Sequence, residues 1–180
     1  MKQTVTESIE IPSGISCEYL NKVLTCKKDS TSLSKRINLP SIDIKVDQNA
    51  IKFNTKSGNK KELKMIRANF AHIKNLFLGL QKKYEYKLEA CNVHFPMTIK
   101  VDKGSLTINN FLGEKIPRVA KILPNVDVQV KGQYITVSSH DKESAGQTAA
   151  NIEKATRVRN RDRRIFQDGI YITSKPGREI

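Results

Sequence analysis

Between positions 154 and 164 the chain reads KATRVRNRDRR, with six cations (Lys154, Arg157, Arg159, Arg161, Arg163 and Arg164) and one acid, Asp162. Five of the six are arginine, whose planar fork of donors pairs bidentately with phosphate and stacks on flat rings, whereas lysine acts as a point charge. Such a run suits a polyanion better than an isolated carboxylate. The alternative is a solvated charged face, the ordinary fate of a charge run. An apolar stretch follows directly, with Ile165, Phe166, Ile170, Tyr171 and Ile172, so the cations adjoin a segment able to anchor them in a fold. Asp168-Gly169 between them is a turn signal that would fold the basic segment back against a final strand. Phe166 and Tyr171 lie nearest the arginines, either to stack on a base or to join the core.

Other constellations carry less chemistry. Cys91 and His94 have metal-like spacing, but Cys17, Cys26, His72 and His140 supply no second pair at the intervals that structural zinc sites use. On one strand, Cys91 and His94 would point to opposite faces, which reads as a core cysteine and a rim histidine. NNFLGEK, residues 109 to 115, lacks the second glycine and the Ser/Thr of a phosphate-cradling loop. No serine or cysteine stands with a base and an orienting group at a recognisable spacing. The expectation is a protein without catalytic residues, metal or cofactor.

Composition agrees with a polyanion partner. The 180 residues carry a formal net charge of +14, with 38% hydrophobic and 28% charged residues. That field attracts nucleic acid or an anionic membrane surface. No apolar run approaches the ~18 residues of a membrane span, and the first residues lack the apolar centre of a signal peptide, so no membrane partner and a cytosolic chain are expected. Three irregularly spaced cysteines argue against a disulfide framework. Aromatic residues are scarce, at 6%, and tryptophan is absent. This favours recognition of RNA shape and backbone over a single-strand stacking platform. Neutralising six phosphates would weaken binding roughly a thousandfold between 50 and 200 mM salt.

The elements that must position these residues fall into two similar halves. Residues 9 to 54 read as short strands: 15–20, 23–27, 33–39, 42–46 and 50–54. In IDIKVD, Ile42, Ile44 and Val46 alternate with polar residues, as in a strand with one wet face. Leu63, Ile66, Phe70, Ile73, Phe77 and Leu80 then recur at helical steps, and Asn59 with Glu62 makes a capping box. The second half repeats the plan, with strands at 84–94, 97–102, 105–110, 118–122, 126–131 and 133–138 and a helix over 141–156. At an offset of 84, Leu39-Pro40 matches Leu123-Pro124, Ile42-Asp43-Ile44 matches Val126-Asp127-Val128, and Ile51 matches Ile135. At an offset of 82, Leu24-Thr25 matches Leu106-Thr107. The reading is α+β, with two tandem related domains at 1–82 and 83–180, each an antiparallel sheet packed on a helix. The first half carries 15 basic and 7 acidic residues, dispersed; the second carries 17 and 11, with its excess concentrated at 154–164. The second helix is rich in small residues: Ala145, Gly146, Ala149, Ala150 and Ala155. They suit close packing, with Gly146 and Gln147 near the helix start as an alternative RNA contact.

Several strings together, HIKNLFLGL (72–80), YEYKLEACNVHFPM (84–97), NNFLGEKIPRVAK (109–121), GQTAANIEKATRVRNRD (146–162) and FQDGIYIT (166–173), resemble the large-subunit ribosomal protein family numbered six in bacteria and nine in eukaryotes. The archaeal and eukaryotic branch is the nearer, and the similarity runs from Ile9 to Lys175. It implies a structural constituent of the large ribosomal subunit that binds and stabilises large-subunit rRNA near the sarcin-ricin loop, the stalk base and the site of translational GTPases. Neighbouring large-subunit proteins, including those of the stalk base, would be partners. Its place would be the cytoplasmic ribosome, with nucleolar assembly in a eukaryote. The rRNA-binding positions it implies are Lys154, Arg157, Arg159, Asn160, Arg161, Arg163 and Arg164, with Gly169 and Tyr171 shaping the turn and Lys115 and Arg118 as weaker members. The chain departs from the family where Lys28, Asp29, Ser30 and Thr31 replace a glycine-containing hairpin turn, and at Lys83, usually glycine. The alternative class is a free-standing RNA-binding regulatory module.

Overall fold

A computed structural model describes residues 3–40, 42–47 and 49–180. The chain divides into two compact units, Met1–Lys82 and Lys83–Ile180. Both combine antiparallel sheets with one helix, an α+β architecture.

In the first unit, β1 (Gln3–Glu10), β6 (Ala50–Gly58) and β5 (Asp43–Val46) form one sheet in the order β1-β6-β5. A second sheet, in chain order, joins β2 (Ser16–Leu20), β3 (Val23–Lys28) and β4 (Thr31–Arg36). Strand β1 lies mostly ahead of the region read as strands, because its threonines, glutamates and serine hide the apolar alternation. The β2–β3 connection is two residues, Asn21 and Lys22, both at positive φ (51° and 63°). That pattern matches the right-handed twist of the flanking strands. Across the same ladder Cys17 faces Cys26, their free thiols 2.7 Å apart. Asp29, in the turn that departs from the family pattern, also has positive φ (49°), a conformation Asp tolerates better than most residues.

Helix α1 (Lys60–Gln81) starts at the capping box. Asn59 Oδ1 accepts from the Lys61 and Glu62 amides, and Glu62 Oε2 accepts from the Asn59 amide at 2.8 Å. Such a cap stabilises a helix by about 1 kcal/mol. Ile66, Ile73, Phe77 and Leu80 of the stripe are buried with Leu24, Ile51 and Phe53 of the sheets, together with Leu76 and with Ile37 just after β4. Each such side chain contributes roughly 1.5–3 kcal/mol through burial.

The second unit repeats this order and then extends it. Strands β8 (Thr98–Asp102), β9 (Ser105–Asn109) and β10 (Arg118–Lys121) form a three-stranded sheet like β2-β3-β4. The other sheet contains β7 (Tyr84–Cys91), β11 (Asp127–Lys131), β12 (Tyr134–Ser139), β13 (Gly169–Lys175) and β14 (Arg178–Glu179). Its order is β11-β12-β7-β13-β14. The first three match β5-β6-β1, while β13 and β14 add to the far edge of β7. Sequence matches fall at equivalent places: Leu24 and Leu106 lie on the middle strands β3 and β9, and Ile51 and Ile135 on β6 and β12, all fully buried.

Helix α2 (Lys142–Ala155) is capped by Asp141, whose carboxylate accepts from the Glu143 and Ser144 amides. Ala145, Thr148, Ala149 and Ile152 are its buried face. Gly146 is required by close packing: a β-carbon there would lie 2.9 Å from the Tyr86 hydroxyl. This is the packing reading of the small residues. Gln147 is exposed and hydrogen-bonds to Asn151 one turn on. Cys91 corrects an expectation: it is exposed, because Tyr86, Leu88 and Ala90 take the inward face of β7 and alternation turns Cys91 outward.

Candidate nucleic-acid interface

The basic segment leaves the end of α2 and returns as β13, so its geometry is set at those two ends. At the first, Thr156 ends the helix, its amide donating to the Glu153 and Lys154 carbonyls. The buried Thr156 hydroxyl donates to the Glu153 carbonyl and accepts the Ile170 amide at 2.8 Å. Glu153 Oε1 accepts the Ile172 amide at 3.2 Å. Two side chains near the end of α2 therefore satisfy amides of β13 and tie the segment's entry to its exit.

At the second end, Asp168 is buried, with 1% of its surface exposed. Its carboxylate accepts the Val93 amide at 3.0 Å, the His94 amide at 3.3 Å and contacts His94 Nδ1 at 3.1 Å. Burial pushes its pKa up, but hydrogen bonds from the Val93 amide, the His94 ring and the His94 amide outweigh that and hold it below the usual carboxylate value. Asp168-Gly169 is thus an anchor in place of the expected tight turn: Gly169 opens β13 opposite Cys91. A β-carbon on Gly169 would stand 3.0 Å from the Tyr171 ring, so the missing side chain makes room for Tyr171. The reversal occurs upstream. Asn160 has φ 56°, and the amides of Ile165 and Phe166 both donate to the Asp162 carbonyl.

Arg118 holds this arrangement from the side. Its Nε and Nη2 donate to the two oxygens of Glu114 at 2.8 and 2.6 Å, and Nη1 donates to the carbonyls of Ala155 (2.9 Å) and Arg157 (3.1 Å). Its guanidinium also sits 4.2 Å from the Phe111 ring centre. Most of its donors are consumed inside the protein, at the carbonyl end of α2 where a cation is favoured. The hydrogen bond from Arg118 holds the Glu114 carboxyl below its usual value, with burial opposing. Lys115, beside Glu114, is exposed.

The candidate cations now divide. Arg164 pairs with Asp162 through Nε and Nη2, the closest approach being 2.9 Å. Arg161 lies 4.8 Å over the Phe166 ring, whose other close partner is the His94 ring at 5.3 Å. Lys154, Arg157, Arg159 and Arg163 are exposed. Among the described residues, their side chains have no hydrogen bond or ion pair within the protein. With Asn160 they border a shallow basin of about 660 Å³. Beside it, a narrower hollow of about 420 Å³ lies between α2 and the start of β13, floored by Val158 and walled by Phe166 and Tyr171. Phe166 packs partly against the core, whereas Tyr171 is 43% exposed.

The fold thus brings Lys154, Arg157, Arg159, Asn160, Arg161 and Arg163 to one basin, with Tyr171 in the adjoining hollow and Arg118 behind it. Sequence reasoning missed Glu114, Glu153 and Thr156 and misread Asp168. The partners of Thr156, Glu153 and Asp168 lie 14 to 75 residues away, where no local spacing encodes them, whereas Glu114 pairs with Arg118 only four residues on. Among the described residues no cluster of three or more His, Cys, Asp or Glu side chains is disposed to hold a metal, and no helix is long and apolar enough to cross a membrane.

The profile of the family described as Ribosomal protein L6 matches residues 95–169. The chain is 43% identical over 172 residues to "Large ribosomal subunit protein uL6" of Methanospirillum hungatei, covering 96% of this chain and 98% of the relative. It is 41% identical to the protein of that name from Methanosarcina mazei, covering 97% and 99%, and 40% identical to that from Haloarcula marismortui, covering 94% and 96%.

Proposed function

Because the chain belongs to the ribosomal protein L6 family and so is a constituent of the large ribosomal subunit, we propose that it binds large-subunit rRNA through the segment 154–164. Its site there is the region near the sarcin-ricin loop and stalk base, with translational GTPases and stalk-base proteins as neighbours, in the cytoplasmic ribosome. The observation that carries this reading is the loop's construction. Four exposed cations stand on a segment whose two ends are locked to each other and to the sheet through Thr156, Glu153 and Asp168. A loop backbone locked at both ends loses little loop freedom when its cations meet phosphates, which favours shape-specific recognition of folded RNA.

Arg157, Arg159, Asn160, Arg163 and Lys154 serve as the RNA-facing set, Arg161 and Arg164 as loop braces held on Phe166 and Asp162, and Arg118 as a support behind the segment. The test is replacement of Arg157, Arg159, Arg161, Arg163 and Arg164 by glutamate, followed by sedimentation of cell extract. The variant should be lost from large-subunit fractions and collect near the top of the gradient; normal incorporation would sink the assignment. Wild-type protein remaining near the top of the gradient would favour a free-standing RNA-binding module instead.

A further inference from the structure

A strip of arginines is enough to hold an RNA backbone; it has no need of an apolar hollow beside it. Yet the hollow of about 420 Å³ opens directly alongside the cations. Ala150, Val158, Phe166 and Tyr171 give it apolar and aromatic walls, while Lys154, Arg157 and Arg163 stand around its rim. Its volume is within the range of small-ligand pockets. A double helix keeps its bases stacked inside, so it offers such a hollow nothing that fits. The combination of a π surface and neighbouring cations matches a single nucleotide, which carries a flat base and its phosphates together.

We propose that this hollow receives the base of one unpaired rRNA nucleotide, stacked on Tyr171, with the flanking phosphates held by Arg157 and Arg163. This rests on the reading of segment 154–164 as an rRNA-binding loop. Tyr171 is already set for the role. Its ring lies against Gly169, where a β-carbon would come within 3.0 Å, and its hydroxyl donates to the Gln167 carbonyl at 3.0 Å. A ring fixed from two sides loses little freedom when a base stacks on it. Glu153 also lines the hollow and commits Oε1 to the Ile172 amide. Among the described residues its Oε2 has no partner, so it can accept from the amino group of adenine, cytosine or guanine. Uracil has no amino group but can offer its ring N3–H, so the carboxylate can accept from any of the four bases.

The experiment compares full-length protein binding to three RNA hairpins of equal length and charge per residue, by fluorescence anisotropy at fixed salt. One has an uninterrupted stem, one a single bulged adenosine and one a single bulged uridine. Both bulges should bind about tenfold more tightly than the uninterrupted stem, the scale of one base–aromatic contact. Tyr171→Ala should erase the difference between bulged and uninterrupted stems, and Tyr171→Phe should keep it, provided both variants melt like wild type. Arg163→Gln should weaken all three hairpins. Equal wild-type affinity for bulged and uninterrupted stems, or a preference that survives Tyr171→Ala, overturns the pocket assignment while the RNA-binding reading stands. Absence of binding to every hairpin overturns both.

Discussion

Arg118 directs its guanidinium inward, to Glu114 and to the carbonyls of Ala155 and Arg157. Removing it leaves the Glu114 carboxylate without its partner and the Ala155 and Arg157 carbonyls without their donor. Arg118→Ala should lower the stability of the second unit by about 2 kcal/mol, the scale of hydrogen bonds to charged groups, as read by denaturant unfolding. RNA affinity should fall too, but the slope of log affinity against log salt should stay the same, because no phosphate contact is lost. A reduced slope would make Arg118 a direct contact. Asp168 supports the other end of the loop, and its folded pKa is lowered below its ordinary value. Its contribution is therefore present above the unfolded value, near ~3.9, and disappears as pH falls through the folded one. Asp168→Asn should cost about 2 kcal/mol at pH 7, with the gap from wild type narrowing below about pH 4. Urea melts across that range check it, and a gap that holds constant would contradict the assignment.

At the scale of elements, α2 fits its sheet because Gly146 has no side chain. Placing alanine there gains about 1 kcal/mol of helix propensity, against roughly 1–3 kcal/mol for overpacking on the Tyr86 hydroxyl. Gly146→Ala should therefore be destabilising on balance. The cost should shrink or reverse in a Tyr86→Phe background, since phenylalanine lacks the obstructing oxygen. A double-mutant cycle on thermal or chemical unfolding measures that coupling, and additive effects would refute the clash. The helix stripes, the capping box at Asn59 and the repeated strand order were legible in the sequence, because each depends on neighbours within a few residues. Strand β1 was not, since its pairing with β6 lies about 50 residues away and its own composition is polar.

At the scale of the molecule, the second unit is the first unit's plan with a loop and two strands added. The addition carries the concentrated charge, and the fold divides that charge into members with partners inside the protein and, among the described residues, members without. Arg164 is paired with Asp162, Arg161 lies on Phe166, and four cations stand open. With four phosphate contacts at about 0.9 each, affinity should fall on the order of a hundredfold between 50 and 200 mM salt. That is weaker than the thousandfold expected from six contacts. Binding measured to a large-subunit rRNA fragment over that range distinguishes the two counts.

The sequence alone determined the composition-level and local properties: a basic chain, two repeated α+β units, amphipathic helices and an arginine run without counterpart in the first half. All follow from residue types and short-range periodicity, which survive without knowledge of what touches what. Tertiary structure decided which arginines are available, because pairing with Asp162 or stacking on Phe166 depends on how the loop closes. It also turned Asp168 from a turn residue into a buried anchor, Gly169 into space for Tyr171, and Arg118 into a brace. The roles of Asp168 and Arg118 rest on contacts across tens of residues, and so the basic run became a defined surface only when the end of α2, β7 and β13 came together around it.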